Sequence, residues 1–223
     1  MPSKQEKFAE VETFKNCFKF HFENIAPGFN LKGKWLSDNF KNTHPIVLEL
    51  GCGKGEYTIG LAQNNLNKNY IGVDVKGNRI WNGAKFATDT HMQNVSFLRS
   101  RIDIIEHCFA PNEIDEIWIT FPDPQPQKPR ARQRLTHPIF LNRYKQFLKP
   151  NGLVHLKTDS TSLYEFTLQV IEESKLPLIW HTNNLYQNCP AERKELIEIK
   201  TYYETLFTGK GEDIKYILFK LNS

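Results

Sequence analysis

Short apolar runs alternate with longer stretches of helical period along most of the chain, the pattern of a parallel sheet covered by helices on both faces. Residues 45–50 (Pro45-Ile46-Val47-Leu48-Glu49-Leu50) predict a buried strand, and 57–63 the helix after it. A strand at 70–75, a helix at 78–90 and strands at 95–98 and 116–121 continue the alternation. A helix over 138–148 is stopped by Lys149-Pro150-Asn151-Gly152. A fifth strand at 153–157 precedes a helix over 162–174, where Leu163, Phe166, Val170 and Ile171 share one face. Segments 178–181 and 214–221 are expected to close the sheet as an antiparallel pair. The sum is an α/β, Rossmann-like fold with a mostly parallel seven-stranded sheet and one antiparallel strand. Residues 1–40, rich in Phe and Lys, read as an N-terminal arm or surface helix ahead of a domain over 41–223.

Two of the expected strand ends carry chemistry. After the first comes Gly51-Cys52-Gly53-Lys54-Gly55, where glycines permit positive φ and close approach of a ligand to the backbone. The spacing is neither the dinucleotide G-x-G-x-x-G nor a P-loop, so both phosphate-cradling readings lose support. Glu49, just before the turn, would repel a pyrophosphate and attract the amino group of a methionine-like moiety, which favours a sulfonium cofactor. Asp74, ending the second strand, stands where adenosine ribose hydroxyls lie in such folds. The plainer reading, a packing turn and a solvated aspartate, accounts for either feature alone but not for their order.

The strand at 116–121 runs into Phe121-Pro122-Asp123-Pro124-Gln125-Pro126. Prolines on both sides of Asp123 restrict its backbone and hold a carboxylate at the edge where open α/β sheets bind ligands. Amino-group methyltransferases commonly carry Asp/Asn-Pro-Pro-aromatic after this strand; Gln125 and Pro126 depart from that, so an exocyclic amine is a less natural target. Directly downstream, Lys128, Arg130, Arg132 and Arg134 lie within seven residues without an acidic neighbour, which suits phosphate contacts better than an ordinary solvated face.

Composition adds limits rather than an assignment. A net charge of +4 on 223 residues does not by itself require a nucleic-acid partner. The four cysteines form no C-x-x-C pair and read as reduced thiols. No secretory signal, lipidation motif or spanning apolar run is visible, and the histidines lack metal-ligand spacing. The expectation is a cytoplasmic chain, monomer or homodimer, with no metal and no membrane partner.

Taken together, LELGCGKGE (48–56), YIGVDVK (70–76), FPDP with its basic tail and Arg-Leu-Thr (121–136), Lys157-Thr158-Asp159 and Thr201-Tyr202-Tyr203-Glu204 resemble the bacterial tRNA (guanine-N7)-methyltransferase family. The motifs keep family order over about residues 45–208; the FPDP-basic-RLT run with T-x-Y-E is specific, and the glycine turn is shared by methyltransferases generally. The resemblance implies the class I S-adenosylmethionine-dependent methyltransferase fold, with S-adenosylmethionine as cofactor and the variable-loop guanosine of tRNA as substrate. It implies that Glu49, Gly51, Gly53, Gly55 and Asp74 bind the cofactor, that Asp123 acts at the catalytic centre beside it, and that Asp159, Thr201, Tyr202, Tyr203 and Glu204 bind the guanosine. The chain departs from the family in two places. Arg101 stands where an acidic residue often lies near the adenine, with Asp103 two residues on; and Gln125 takes the place of the usual aromatic after Asp-Pro and Gln127 that of a lysine, leaving Lys128 as its substitute. Competing readings are a methyltransferase of another base or of a small molecule, a non-catalytic RNA-binding module, and, more remotely, a dinucleotide oxidoreductase.

Overall fold

The computed structural model describes residues 2–222. Five strands run parallel: β2 (Ile46–Leu50), β3 (Asn69–Asp74), β4 (Val95–Arg99), β5 (Ile114–Thr120) and β6 (Leu148–Thr158). At one end, β8 (Lys215–Lys220) is antiparallel both to β6 and to β7 (Leu178–Thr182). At the other, the short strand β1 (Cys17–Lys19) adds to β4 in parallel, so the order is β1-β4-β3-β2-β5-β6-β8-β7. The seven expected strands are present, β8 is the antiparallel one, and β1 is an eighth that its three residues were too few to announce.

Strand periodicity divides the interior into two cores. Ile46, Leu48 and Leu50 point to the same side as Val154, Leu156, Ile217 and Phe219. Helices α4 (Pro138–Tyr144) and α5 (Thr161–Glu173) cover that side through Leu141, Tyr144, Leu163, Val170 and Ile171. Val47, Tyr70, Trp118 and Tyr216 face the other side, under α2 (Glu56–Asn64) and α3 (Gly77–Asp89). There the chain from α6 (Leu185–Asn188) through α7 (Glu195–Glu198) to α8 (Tyr202–Gly209) also packs, burying Leu185, Leu196 and Ile199.

The segment read as an arm holds α1 (Lys4–Val11), opened by a capping box between Ser3 and Glu6 and tied to α3 where Trp81 Nε1 donates to Glu10 at 2.8 Å. It then enters the first core: Phe20, Trp35 and Phe40 are buried there, and Trp35 Nε1 donates to the Cys108 carbonyl at 3.1 Å. A second difference concerns Lys149-Pro150-Asn151-Gly152, expected as a helix stop. Helix α4 ends at Tyr144, and these four residues form an irregularity inside β6, where the pairing register with β5 shifts between Ile114 and Glu116. Pro150 has no N–H for the ladder, so the interruption falls there.

Successive strands build outward from β2 through β3 to β4, and the chain then returns to place β5 on the other flank of β2. The carboxyl ends of β2 and β5 therefore flank a topological switch point, where a crevice opens above the sheet.

Candidate active site

At the end of β2 the chain turns through Gly51 (φ 82°), Gly53 (φ 57°) and Gly55 (φ 77°). A Cβ on Gly55 would meet the Phe97 ring at 2.7 Å, so this glycine lets α2 lie close on the sheet. At Gly51 and Gly53 a Cβ would meet no protein atom within 4 Å, because the space before them is open. Asp74 braces the turn: its Oδ2 accepts from Gly53 N–H at 3.0 Å and its Oδ1 from Lys76 N–H at 2.8 Å.

Two hollows meet at Gly51. The larger, about 680 Å³, is lined among others by Asp74, Val75, Arg101, Ile102, Asp103 and Ile139. The smaller, about 160 Å³, lies between Glu49, Gly53, Lys54, Phe121, Thr201 and Tyr202. Its two walls are stitched together across the chain: Tyr202 N–H donates to Glu56 at 3.0 Å, and the Lys54 ammonium sits 4.8 Å from the centre of the Tyr202 ring.

Glu49 forms the floor of the smaller hollow and is buried. The hydroxyls of Thr58, on α2, and Thr120, ending β5, donate to its two carboxyl oxygens. Burial pushes its pKa up to about 7 against the opposing pull of those two hydroxyls. Burial favours the neutral carboxyl, and a cation bound beside it would favour the charged form. At the far end of the larger hollow, Arg101 grips Asp103 with bonds of 2.9 and 2.6 Å, and this contact lowers the Asp103 pKa. The departure seen in the sequence thus places an acid at the hollow after all, neutralised by the arginine that displaced it.

Asp123 is exposed, in the loop that runs from the smaller hollow to the larger. Phe121, two residues before it, lines the smaller; Gln125, two after, lines the larger; Asp123 itself lines neither. Its Oδ1 accepts from Gln125 N–H at 3.0 Å, closing a tight turn. Phe121 and Gln125 both adopt positive φ (46° and 45°), a left-handed conformation that costs a non-glycine residue roughly 1–2 kcal/mol.

The basic run divides in two. Gln127, just before the turn Lys128–Gln133, and Lys128 and Arg130 on it are exposed, and Arg132 is exposed beside the larger hollow. Arg134, expected among the phosphate contacts, is turned inward and only 8% exposed. Its guanidinium donates to the carbonyls of Pro124 and Gln125, because the turn ends there and the chain dives toward the core. The late motif is corrected in the same sense. Thr201 caps α8 and, with the exposed Tyr202 and Tyr203, lines the smaller hollow. Glu204, expected on the guanosine, is fully buried one turn further on, paired with the equally buried Lys157 at 2.7 Å and accepting from Tyr186 OH at 2.8 Å. Asp159, two residues after Lys157, is half-buried, lines neither hollow, and has its pKa raised by burial.

Sequence reasoning missed Thr58 and Thr120, the pair that holds Glu49, and Lys157, the partner of Glu204. A threonine ending the strand beside Glu49 was visible; the pairing of β2 with β5 that brings it there was not. No cluster of side chains suited to a metal ion occurs among the described residues, and no helix is long and apolar enough to cross a membrane.

A glycine turn at the switch point, an acid before it, an acid ending the next strand and an antiparallel strand inserted at the sheet's far end define a class I methyltransferase. Solved structures agree on the fold: a 16S rRNA methyltransferase, KamB, superposes with a TM-score of 0.63 at 14% identity, covering 84% of this chain and 93% of that one. An antibiotic-related methyltransferase gives 0.61 at 15% identity, over 86% and 94%. The profile of the family described as "Putative methyltransferase" matches residues 43–217. Proteins named tRNA (guanine-N(7)-)-methyltransferase from Bacteroides thetaiotaomicron and Christiangramia forsetii are each 46% identical to it, covering 98% of this chain and 86% and 98% of theirs. One from Clostridium novyi is 36% identical over 90% and 91%. The chain belongs to the tRNA (guanine-N7)-methyltransferase family.

The residues present fit S-adenosylmethionine. An open glycine cradle joins a small hollow with a buried, cation-seeking carboxyl to a larger one edged by Asp74 and by the apolar side chains of Val75, Ile102 and Ile139.

Proposed function

We propose that this protein methylates N7 of the variable-loop guanosine of tRNA, using S-adenosylmethionine. The observation that carries the reading is the joining of two hollows at Gly51, with Glu49 in one and Asp74 in the other, beside a loop whose Phe121 lines the first and whose Gln125 lines the second. When bound, the cofactor supplies an electrophilic sulfonium methyl group. Glu49 would receive its amino group, Gly51 and Gly53 would let the backbone approach it, Asp74 would take the ribose hydroxyls, and the Arg101–Asp103 pair with Ile102 would border the adenine. Guanine N7 carries a lone pair and no proton near neutrality, so the protein has no proton to remove. Its task is alignment of the reacting atoms within ~3–3.5 Å. The Asp123 carboxylate stabilises the positive charge that passes to the purine. Tyr202 and Tyr203, exposed at the mouth of the smaller hollow, offer aromatic faces to the base, and Asp159 accepts from its N–H edge. Gln127, Lys128, Arg130 and Arg132 meet the phosphates beside it. A tRNA substrate places the work in the cytoplasm.

Incubation with labelled S-adenosylmethionine and bulk tRNA, followed by borohydride and aniline cleavage, tests the reading: strand scission at the variable loop is expected. Label found only on exocyclic amines or only on free nucleosides would overturn it.

A further inference from the structure

The loop 122–126 has few fastenings. Within it, Gln125 N–H donates to Asp123; every hydrogen bond that reaches it from elsewhere, among the described residues, comes from Arg134. Arg134 Nε lies 3.1 Å from the Pro124 carbonyl and 3.3 Å from that of Gln125, and Nη2 lies 3.2 Å from the latter. The guanidinium stacks 4.4 Å from the centre of the Phe166 ring on α5. The residues after it are fixed in the core: Tyr144 OH donates to the Leu135 carbonyl at 3.1 Å, and the Thr136 and Thr167 hydroxyls are 2.7 Å apart. No ion pair to Arg134 is found among the described residues, so a buried cation is spent on two loop carbonyls and one ring, an arrangement that packing alone does not call for. The left-handed Gln125, whose Cα lies between those two carbonyls, needs such a hold, since its own backbone preference is to relax.

We propose that Arg134 is a positioning residue for methyl transfer: it fixes the Pro124 and Gln125 carbonyls and thereby sets the Asp123 carboxylate, and it makes no contact with RNA phosphate. The proposal rests on Asp123 acting in the reaction. Arg134→Met and Arg134→Lys are compared with Arg130→Gln and Asp123→Ala, using tRNA and labelled S-adenosylmethionine. Arg134→Met is expected to lower kcat about 10- to 100-fold, the scale of a misplaced reacting group, while cofactor Kd, tRNA Kd and the salt slope of tRNA binding stay within twofold of the parent. Arg134→Lys recovers part of the loss, because one ammonium reaches a single carbonyl at a time. Arg130→Gln instead weakens tRNA binding and reduces the salt slope by about 1. The Arg134→Met/Asp123→Ala double variant is expected to be no slower than Asp123→Ala alone. Should Arg134→Met fail to fold, Arg134→Lys with hydrogen exchange over 121–126 carries the test, faster exchange together with lower kcat being the expected result. Parental kcat in Arg134→Met, or a salt slope reduced as in Arg130→Gln, overturns the proposal. Parental turnover in Asp123→Ala alongside a slow Arg134→Met sinks the role of Asp123 and leaves Arg134 as the fastening of the loop.

Discussion

The loops leaving β2 and β5 stand side by side and solve the same problem by opposite means. Both must reverse the chain at the sheet's rim through left-handed backbone. The first does so with three glycines, which enter that region freely; the second does so at Phe121 and Gln125, which do not. The glycine turn therefore enters its left-handed dihedrals without strain and is braced from the neighbouring strand β3, through Val73 and Asp74, whereas the proline loop carries strain and is held from β6, where Phe121 N–H meets the Lys157 carbonyl, and from Arg134. A loop that serves as a cradle can be free of strain. One that must aim a single carboxylate is built from pieces far apart in the chain.

The contrast can be broken most sharply at Gly55. Gly55→Ala puts a methyl group 2.7 Å from Phe97 and 3.2 Å from the Gly83 backbone at a φ of 77°, and should cost about 2–5 kcal/mol in chemical denaturation. Gly53→Ala, which meets no atom within 4 Å, should cost only the backbone part, about 1–2 kcal/mol. Equal losses at the two positions would show that the turn does not depend on close packing of α2. In the proline loop, the largest effect should fall on rate and not on stability. Asp123→Ala, exposed and held only by its own turn, is expected to keep its Tm and its cofactor affinity while kcat drops about 10²–10³-fold.

Glu49 sharpens the comparison from the glycine side, through pH. Its pKa in the fold, about 7, lies above the unfolded carboxyl value of 4.5, so the group favours the folded state fully below pH 4.5. That contribution is lost as pH rises through 7, by about 3 kcal/mol at the ordinary 1.36 kcal/mol per unit. Denaturation of the cofactor-free protein at several pH values should show this decline, and Glu49→Gln should flatten it. With the cofactor's ammonium in place the carboxylate is favoured, so binding near pH 6 should release a proton, measurable by calorimetry in buffers of different ionisation enthalpy. The smallest effect belongs to Gln125→Gly: relief of the left-handed residue, less the entropy glycine adds to the unfolded chain, leaves a gain of about 0.5–1 kcal/mol. A loss there would mean that the Gln125 side chain matters more than its backbone.

The same contrast explains what could be read from the residues alone. Strands β2 to β6, the glycine turn and the β7–β8 pair were legible because each is announced by local period or local turn chemistry. Strand β1 was not, since Cys17–Lys19 becomes a strand only by lying beside Phe97–Arg99. Nor was the division of labour among the arginines: Arg132 and Arg134 are two positions apart in one basic run, and only the fold beneath sends one to solvent and the other to two carbonyls. Glu204 shows the same limit. It follows Tyr202 and Tyr203 in an unbroken motif, yet the turn of α8 carries it away from them to Lys157, a residue distant in the chain.

The position of β8 has a consequence for the order in which the molecule can assemble. Made after every other strand, it occupies the slot between β6 and β7. A nascent chain that has not yet delivered Lys215–Lys220 leaves β6 with a bare edge and β7 with no neighbour at all. During translation the half of the sheet that carries the glycine turn can therefore form early. The wall that carries Tyr202 and Tyr203 should wait for Lys215–Lys220, and a ribosome stalled before that strand would hold a fragment with an adhesive, unfinished flank.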